Sequence, residues 1–200
     1  MSDRFRDGLL TPTETASYLE IPQSTLASWL KARAAGAPLV HQVEPGRRGQ
    51  PSVPFIAVAE AHVLRSLRSL GLRMSEIREA AAAVRDAFAT PYGLVSKRVA
   101  TDGVEIFVGH GLGDLRRARG GQAPIQEVVS DHLRHLNWEP DDDFPSSLRL
   151  RQYPESVPVV IDPRFGQGRP VVAANRVPVG AITDLWEAGR ASRTSPTTSS

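Results

Sequence analysis

Cysteine is absent from all 200 residues, which excludes disulfides, thiolate nucleophiles and every cysteine-based zinc or iron–sulfur site. Any metal would have to be held by histidine and carboxylates. No apolar run reaches the roughly 18 residues that a membrane-spanning helix needs. The opening MSDRFRDGLLTPTE has charges but no apolar core of a secretory signal. A cytoplasmic chain with no membrane partner is therefore expected. Lysine is scarce: 22 of the 24 basic residues are arginine, a bias that suits forked phosphate contacts and that GC-rich coding also produces. The net charge of +2 is too small to demonstrate a nucleic-acid partner.

Apolar residues at 40% and charged residues at 23% are ordinary for a chain with a packed core, and the length suits two small domains. The first firm signal is Thr11-Pro12-Thr13-Glu14, where Thr11 caps a helix, Pro12 suits its first turn and Glu14 completes a capping box. Glu20-Ile21-Pro22 ends that helix, because the residue before proline is pushed out of the helical region. Ser24 restarts one, with Leu26, Trp29 and Leu30 at i, i+3 and i+4. Two short helices about a tight turn make a helix-turn-helix.

LVHQV and SVPFI flank Glu44-Pro45-Gly46-Arg47-Arg48-Gly49-Gln50 and read as a wing hairpin with two arginines at its tip. A helix follows from Ala57 to Leu70 with Gly71 as its C-cap, and Ser75 caps a second that buries Ile77, Ala80, Ala81, Val84 and Phe88. LVSKRVATDGVEIFVGH alternates about Asp102-Gly103, a hairpin signal. Residues 109–123 read as loop, and Pro124 to Leu136 as a helix. The fold expected is mainly α with small β elements: a winged helix-turn-helix head over 9–90, a central hairpin plus helix over 91–136, a linker over 137–156, a small C-terminal α+β module over 157–190 and a disordered tail over 191–200. The module's helix is expected from Ala181 to Ala188, with an end at Gly189.

The helix-turn-helix is the clearest route to function, because a second helix can enter the major groove while wing arginines meet the flanking phosphates. Ser24, Thr25, Ser28, Lys31 and Arg33 are the candidate groove residues, with Arg47 and Arg48 at the backbone. The pattern alone equally fits solvated faces used for protein contacts. His132 and His135, three apart beside Asp131, lack a third placed ligand, so no metal is expected. Asp141, Asp142 and Asp143 read as solvated charge between prolines. Gly166-Gln167-Gly168-Arg169 runs into Pro170 and does not make a phosphate-cradling helix start. No G-x-S-x-G elbow is present. Neither an enzyme nor a cofactor is expected.

Residues 9 to 88, with LTPTETASYLEIPQSTLASWL, the Arg47-Arg48 loop and VLRSLRSLGLRMSEIREAAAAV, resemble the MerR-like winged helix-turn-helix. At the other end, Asp162-Pro163-Arg164, Gly168-Arg169-Pro170-Val171-Val172 and Arg176-Val177-Pro178-Val179 resemble domain of unknown function family 433, found in bacterial antitoxins. That family continues with a further helix-turn and helix where residues 192–200 are Ser/Thr-rich, so a truncated module is expected. The two modules together resemble VapB-type antitoxins paired with PIN-like ribonuclease toxins. The resemblance implies a type II antitoxin: the head binds operator DNA, and the C-terminal module binds the toxin through Asp162, Arg164, Phe165, Arg169, Arg176, Leu185 and Trp186. A homodimer is expected, since two heads on two half-sites raise affinity. The rival readings are a MerR-like transcriptional regulator without a toxin partner and a protein-interaction adaptor.

Overall fold

The computed structural model describes residues 3–32, 37–69, 71–99 and 133–193. Helix α1, Pro12–Tyr18, starts as its residues dictate: Glu14 N–H donates to Thr11 Oγ1 at 3.2 Å while Thr11 N–H donates to the Glu14 carboxylate at 2.9 Å. Glu20 takes a left-handed φ of 49°, which lets Ile21 N–H reach Ala16 O at 2.8 Å and closes the turn. Helix α2, Gln23–Leu30, follows at once. It begins one residue earlier than expected, with extended Pro22 at the cap, so Ser24 lies inside the first turn. Leu26, Trp29 and Leu30 are buried as their spacing required. Leu39 and Val40 N–H groups then donate to Trp29 O at 3.0 and 3.2 Å and turn the chain back.

The limbs on either side of the Arg47-Arg48 loop differ from the expected hairpin. Val43 N–H donates to Ser52 O at 2.9 Å, but Val53 pairs with Leu10 through reciprocal bonds of 2.9 and 3.1 Å. Phe55 and Ile56, expected in a strand, are the first residues of α3, Phe55–Ser69. This helix is the centre of the molecule, buried from Phe55 through Leu64 and again at Ser66 and Leu67. Gly71, with φ 82°, breaks the path, and α4, Met74–Phe88, buries Ile77, Ala80, Ala81, Val84 and Phe88, the face its period selects. Its cap is Arg73 rather than Ser75, because the Glu76 carboxylate accepts the Arg73 N–H at 2.6 Å.

Two further expectations are overturned. Residues 94–99, expected in the first limb of the central hairpin, instead lie in a 3-10 turn at Gly93–Val95 and a helical turn at 97–99. Leu94, Val95 and Val99 are all buried, and adjacent buried residues do not suit the alternation of a half-exposed strand. The Asp102-Gly103 turn, the 109–123 loop and residues 124–132 of the expected helix lie outside the described residues. The segment expected as a linker carries two strands of a four-stranded sheet. Strands β1 (Leu136–Trp138), β2 (Pro145–Arg149), β3 (Val159–Ile161) and β4 (Val171–Val172) lie in that order, all antiparallel. The register sets Leu136 opposite Leu148 and Leu148 opposite Ile161. These three side chains join the residues of α3 and the head in one contiguous core.

The N-terminal residues tie sheet to head. Arg4 pairs with Asp142 and donates to Phe144 O and Pro145 O at 3.3 Å each, while Arg4 O accepts from Ile56 N–H at 3.0 Å. Phe5 packs against Tyr92 and Phe144, with ring centroids 4.9 and 5.2 Å apart. Burial pushes the Asp142 carboxyl upward, but the Arg4 hydrogen bond, the Phe144 N–H and the Arg4 charge together hold it below the ordinary aspartate value. A carboxyl depressed in the folded state contributes stability above its unfolded value, about 4. That contribution disappears as pH falls through the lower folded value. Denaturation midpoints measured down an acid series should therefore fall more steeply for the native chain than for Asp142→Asn; parallel curves would rule this linkage out.

The last helix, α5, spans Val179–Arg193 and runs on through Gly189, where an end was expected. One glycine costs a helix only about 1 kcal/mol relative to alanine, and alanines and arginines surround it here. The described molecule is thus mainly α, with a helix-turn-helix at its N-terminus and one small antiparallel sheet. Among the described residues no helix is long and apolar enough to cross a membrane.

Candidate nucleic-acid and partner interfaces

The outer face of α2 is polar and small. Gln23, Ser24, Ala27 and Lys31 are exposed, and Thr25 and Ser28 are half-buried. Ser24, Ala27, Ser28, Lys31 and Ala32 line a shallow depression along it. The Ser28 hydroxyl donates to Thr25 O at 2.7 Å, so its proton is already directed inward. Arg33 lies outside the described residues. Arg47 and Arg48 are both exposed at the tip of the 44–51 loop.

That loop is held from beneath by an ionic group that sequence reasoning did not identify. The Glu60 side chain on α3 is fully buried. One carboxylate oxygen accepts the His41 N–H at 3.0 Å and lies 2.7 Å from His41 Nδ1; the other accepts from Arg85 at 3.3 Å. Arg85 on α4 also donates to Pro38 O at 3.0 Å and Leu39 O at 2.9 Å. Residues 38–41, which leave α2 and lead to the arginine loop, are therefore fastened to both long helices. Tyr92 packs against His41 with ring centroids 4.6 Å apart and planes tilted by 52°, and burial, then the Glu60 charge and Asp3, outweigh Arg6 and raise its phenol above the ordinary value.

At the other end, Asp162 does not sit where a partner can reach it. Its residue exposure is 0%, and both oxygens accept from Arg164, with Nε and Nη2 each at 2.9 Å. Arg176 lies 4.0 Å from the same carboxylate, and Arg164 also bonds Glu139 at 2.8 Å. The hydrogen bond to Asp162 raises the Arg164 guanidinium further and keeps it charged. Asp162 thus orients the two arginines from within the core. Arg164 and Arg176 flank Phe165, with guanidinium carbons 5.8 and 4.8 Å from its ring centre, and Arg169 is exposed nearby in the chain.

Between Phe165 and Arg169 the chain makes a tight turn in which Gly166, Gln167 and Gly168 all have positive φ. Gly168 rests on Leu9 so closely that a Cβ there would lie 2.4 Å from Leu9 Cγ. The Gln152 amide donates to Tyr18 O at 3.0 Å and ties the β2–β3 loop to α1. On α5, Ile182, Leu185 and Trp186 are exposed by 45, 76 and 62%. They fall at i, i+3 and i+4, one helix face. Leu185 and Trp186 were expected contacts; Ile182 was legible from the same spacing and was missed. His135, one of the rejected metal candidates, lies tilted against His62 with ring centroids 5.8 Å apart, and His132 lies outside the described residues.

A turn-linked helix pair whose second helix keeps one face exposed defines a helix-turn-helix protein, and residues 8–81 match the family model described as "Putative DNA-binding HTH domain". The chain is 32% identical over 214 aligned positions to "Putative antitoxin VapB45" of Mycobacterium tuberculosis (strain ATCC 25618 / H37Rv), covering 93% of this chain and 85% of that relative. It belongs to the VapB45 antitoxin family. The X-ray crystal structure of Rv2018 from Mycobacterium tuberculosis superposes with a TM-score of 0.73 at 29% identity, covering 94% of this chain and 90% of the other.

Proposed function

We propose that this protein is a non-catalytic antitoxin that binds operator DNA through α2 and a PIN-like ribonuclease toxin through its C-terminal region. The observation that carries the reading is the apolar stripe of Ile182, Leu185 and Trp186 on α5, left in solvent by a chain whose other long helices are packed into one core. A stripe of this kind marks a protein-docking face, and aromatic anchors supply much of such a contact's energy. Arg164, Phe165, Arg169 and Arg176 form the neighbouring polar part, suited to a partner that presents carboxylates. Here the C-terminal region takes the role of the family 433 module, with the strands around it as its support.

At the head, the 44–51 loop acts as the wing of a MerR-like domain: Arg47 and Arg48 neutralise phosphates, and α2 enters the major groove. Phosphate contacts supply salt-sensitive affinity without sequence preference. The protein works as a homodimer, because two heads on paired half-sites match a palindromic operator.

The test is co-purification with the nuclease encoded by the neighbouring reading frame. A Leu185→Arg, Trp186→Ala double variant should lose toxin capture by tenfold or more, on the order of an interface hot spot, while still shifting operator DNA. Undiminished capture would refute the α5 docking face. Lack of any nuclease partner would favour a toxin-free regulator, and no gel shift at low salt would favour an adaptor.

A further inference from the structure

We infer that Gln23 is the base-reading residue of α2 and that it selects an A·T pair in each half-site, an inference that rests on the DNA-binding reading above. Helix α2 starts at Gln23, directly after extended Pro22. Recognition helices meet base edges with their N-terminal residues. Gln23, Ala27 and Lys31 follow one another at i, i+4 and i+8, so they line one edge of the exposed face. Ser24 and Ser28 line the adjoining edge.

The chemistry of these side chains separates their roles. An α-helix with side chains is about 10–12 Å across and the major groove about 12 Å wide, so a close approach needs small residues along the contact face. Ala27, Ser24 and Ser28 meet that need. Serine hydroxyls accept either kind of base pair and discriminate weakly; the Ser28 proton is in any case held by Thr25 O at 2.7 Å. Lys31, one α2 length away, is a point charge suited to a phosphate. Among the described exposed residues of α2, Gln23 alone carries the adjoining donor and acceptor that match adenine N6 and N7 in a bidentate pair. Leu26, Trp29 and Leu30 anchor the helix in the core, and Gln23, three residues before Leu26 and seven before Leu30, stands at the exposed border of that buried face in the first turn.

The experiment selects duplexes from a random pool with the full native chain and then scans each position of the selected site by fluorescence anisotropy. Gln23→Ala should retain the native salt dependence and melting temperature. It should lose about tenfold to a hundredfold of preference at one A·T position per half-site. Gln23→Arg should move that preference to G·C, since arginine matches guanine O6 and N7. Lys31→Ala should instead weaken binding evenly across sequences. The inference is overturned if Gln23→Ala keeps the whole preference profile, or if it weakens all sequences alike. If the native chain binds no duplex even at low salt, the DNA-binding reading itself falls, and this inference with it.

Discussion

Glu60→Ala should cost the folded chain about 3 kcal/mol, the scale on which removing one member of a buried ion pair destabilises a protein. For a chain of this size that corresponds to a fall in melting temperature of roughly 6–12 °C. The carboxylate is fully buried, with Arg85 only 14% exposed against it. Removing it leaves a nearly buried guanidinium with carbonyl partners but no counter-charge, and frees His41 from two contacts at once. Glu60→Gln, which keeps the shape and one acceptor, should lose less. Because residues 38–41 connect α2 to the arginine loop, the alanine variant should also weaken DNA binding at temperatures where it remains folded. A loss of stability below about 0.5 kcal/mol, the level of an ordinary surface change, would show that the ion group is incidental.

A second large effect is expected at the junction between the head and the C-terminal turn. Gly168→Ala should destabilise by about 3 kcal/mol, of which roughly 1 kcal/mol reflects a side chain at positive φ and the rest overpacking. The native φ is 82°, and the added methyl would meet Leu9 Cγ at 2.4 Å. Leu9→Ala in the same chain should recover part of the overpacking loss but not the backbone strain, so the pair should couple in a double-mutant cycle of urea midpoints. Simple additivity would show that the turn shifts away from Leu9 without cost. The variant should also reduce partner capture, because the turn sets the direction of Phe165 and Arg169.

These two effects connect the functional ends of the molecule. The sheet is fastened to the head through Arg4 and Asp142, through Gln152 and Tyr18, and through Gly168 and Leu9. Residues 137–156 therefore carry two of these three links, where the composition suggested a loose connection.

The elements legible in the sequence were those with signals inside a few residues of themselves. Thr11 and Glu14 specify the start of α1 because both capping bonds lie within one turn, and the spacing of Ile77, Ala80, Ala81, Val84 and Phe88 selects the buried face of α4. The sheet was hidden for the opposite reason. Its strands are only two to five residues long, too short for a period, and the prolines and Asp141–Asp143 of their turns dominate the local composition. At the candidate site, the exposed face of α2 and the tip arginines could be read from spacing, whereas the roles of Glu60 and Asp162 could not. Glu60 has partners 19 and 25 residues away, and no local pattern reports that distance.

The residues alone thus determined the helix-turn-helix, the faces of the long helices and the small polar outer surface of α2, since capping and periodicity are local properties of the chain. Tertiary structure decided which charges are buried, that Asp162 is buried beneath the arginines it orients, and that the C-terminal sheet joins the head in one core. It also decided that α5 keeps its apolar face in solvent. Burial and long-range pairing depend on contacts between segments far apart in sequence, and those contacts exist only once the chain has closed.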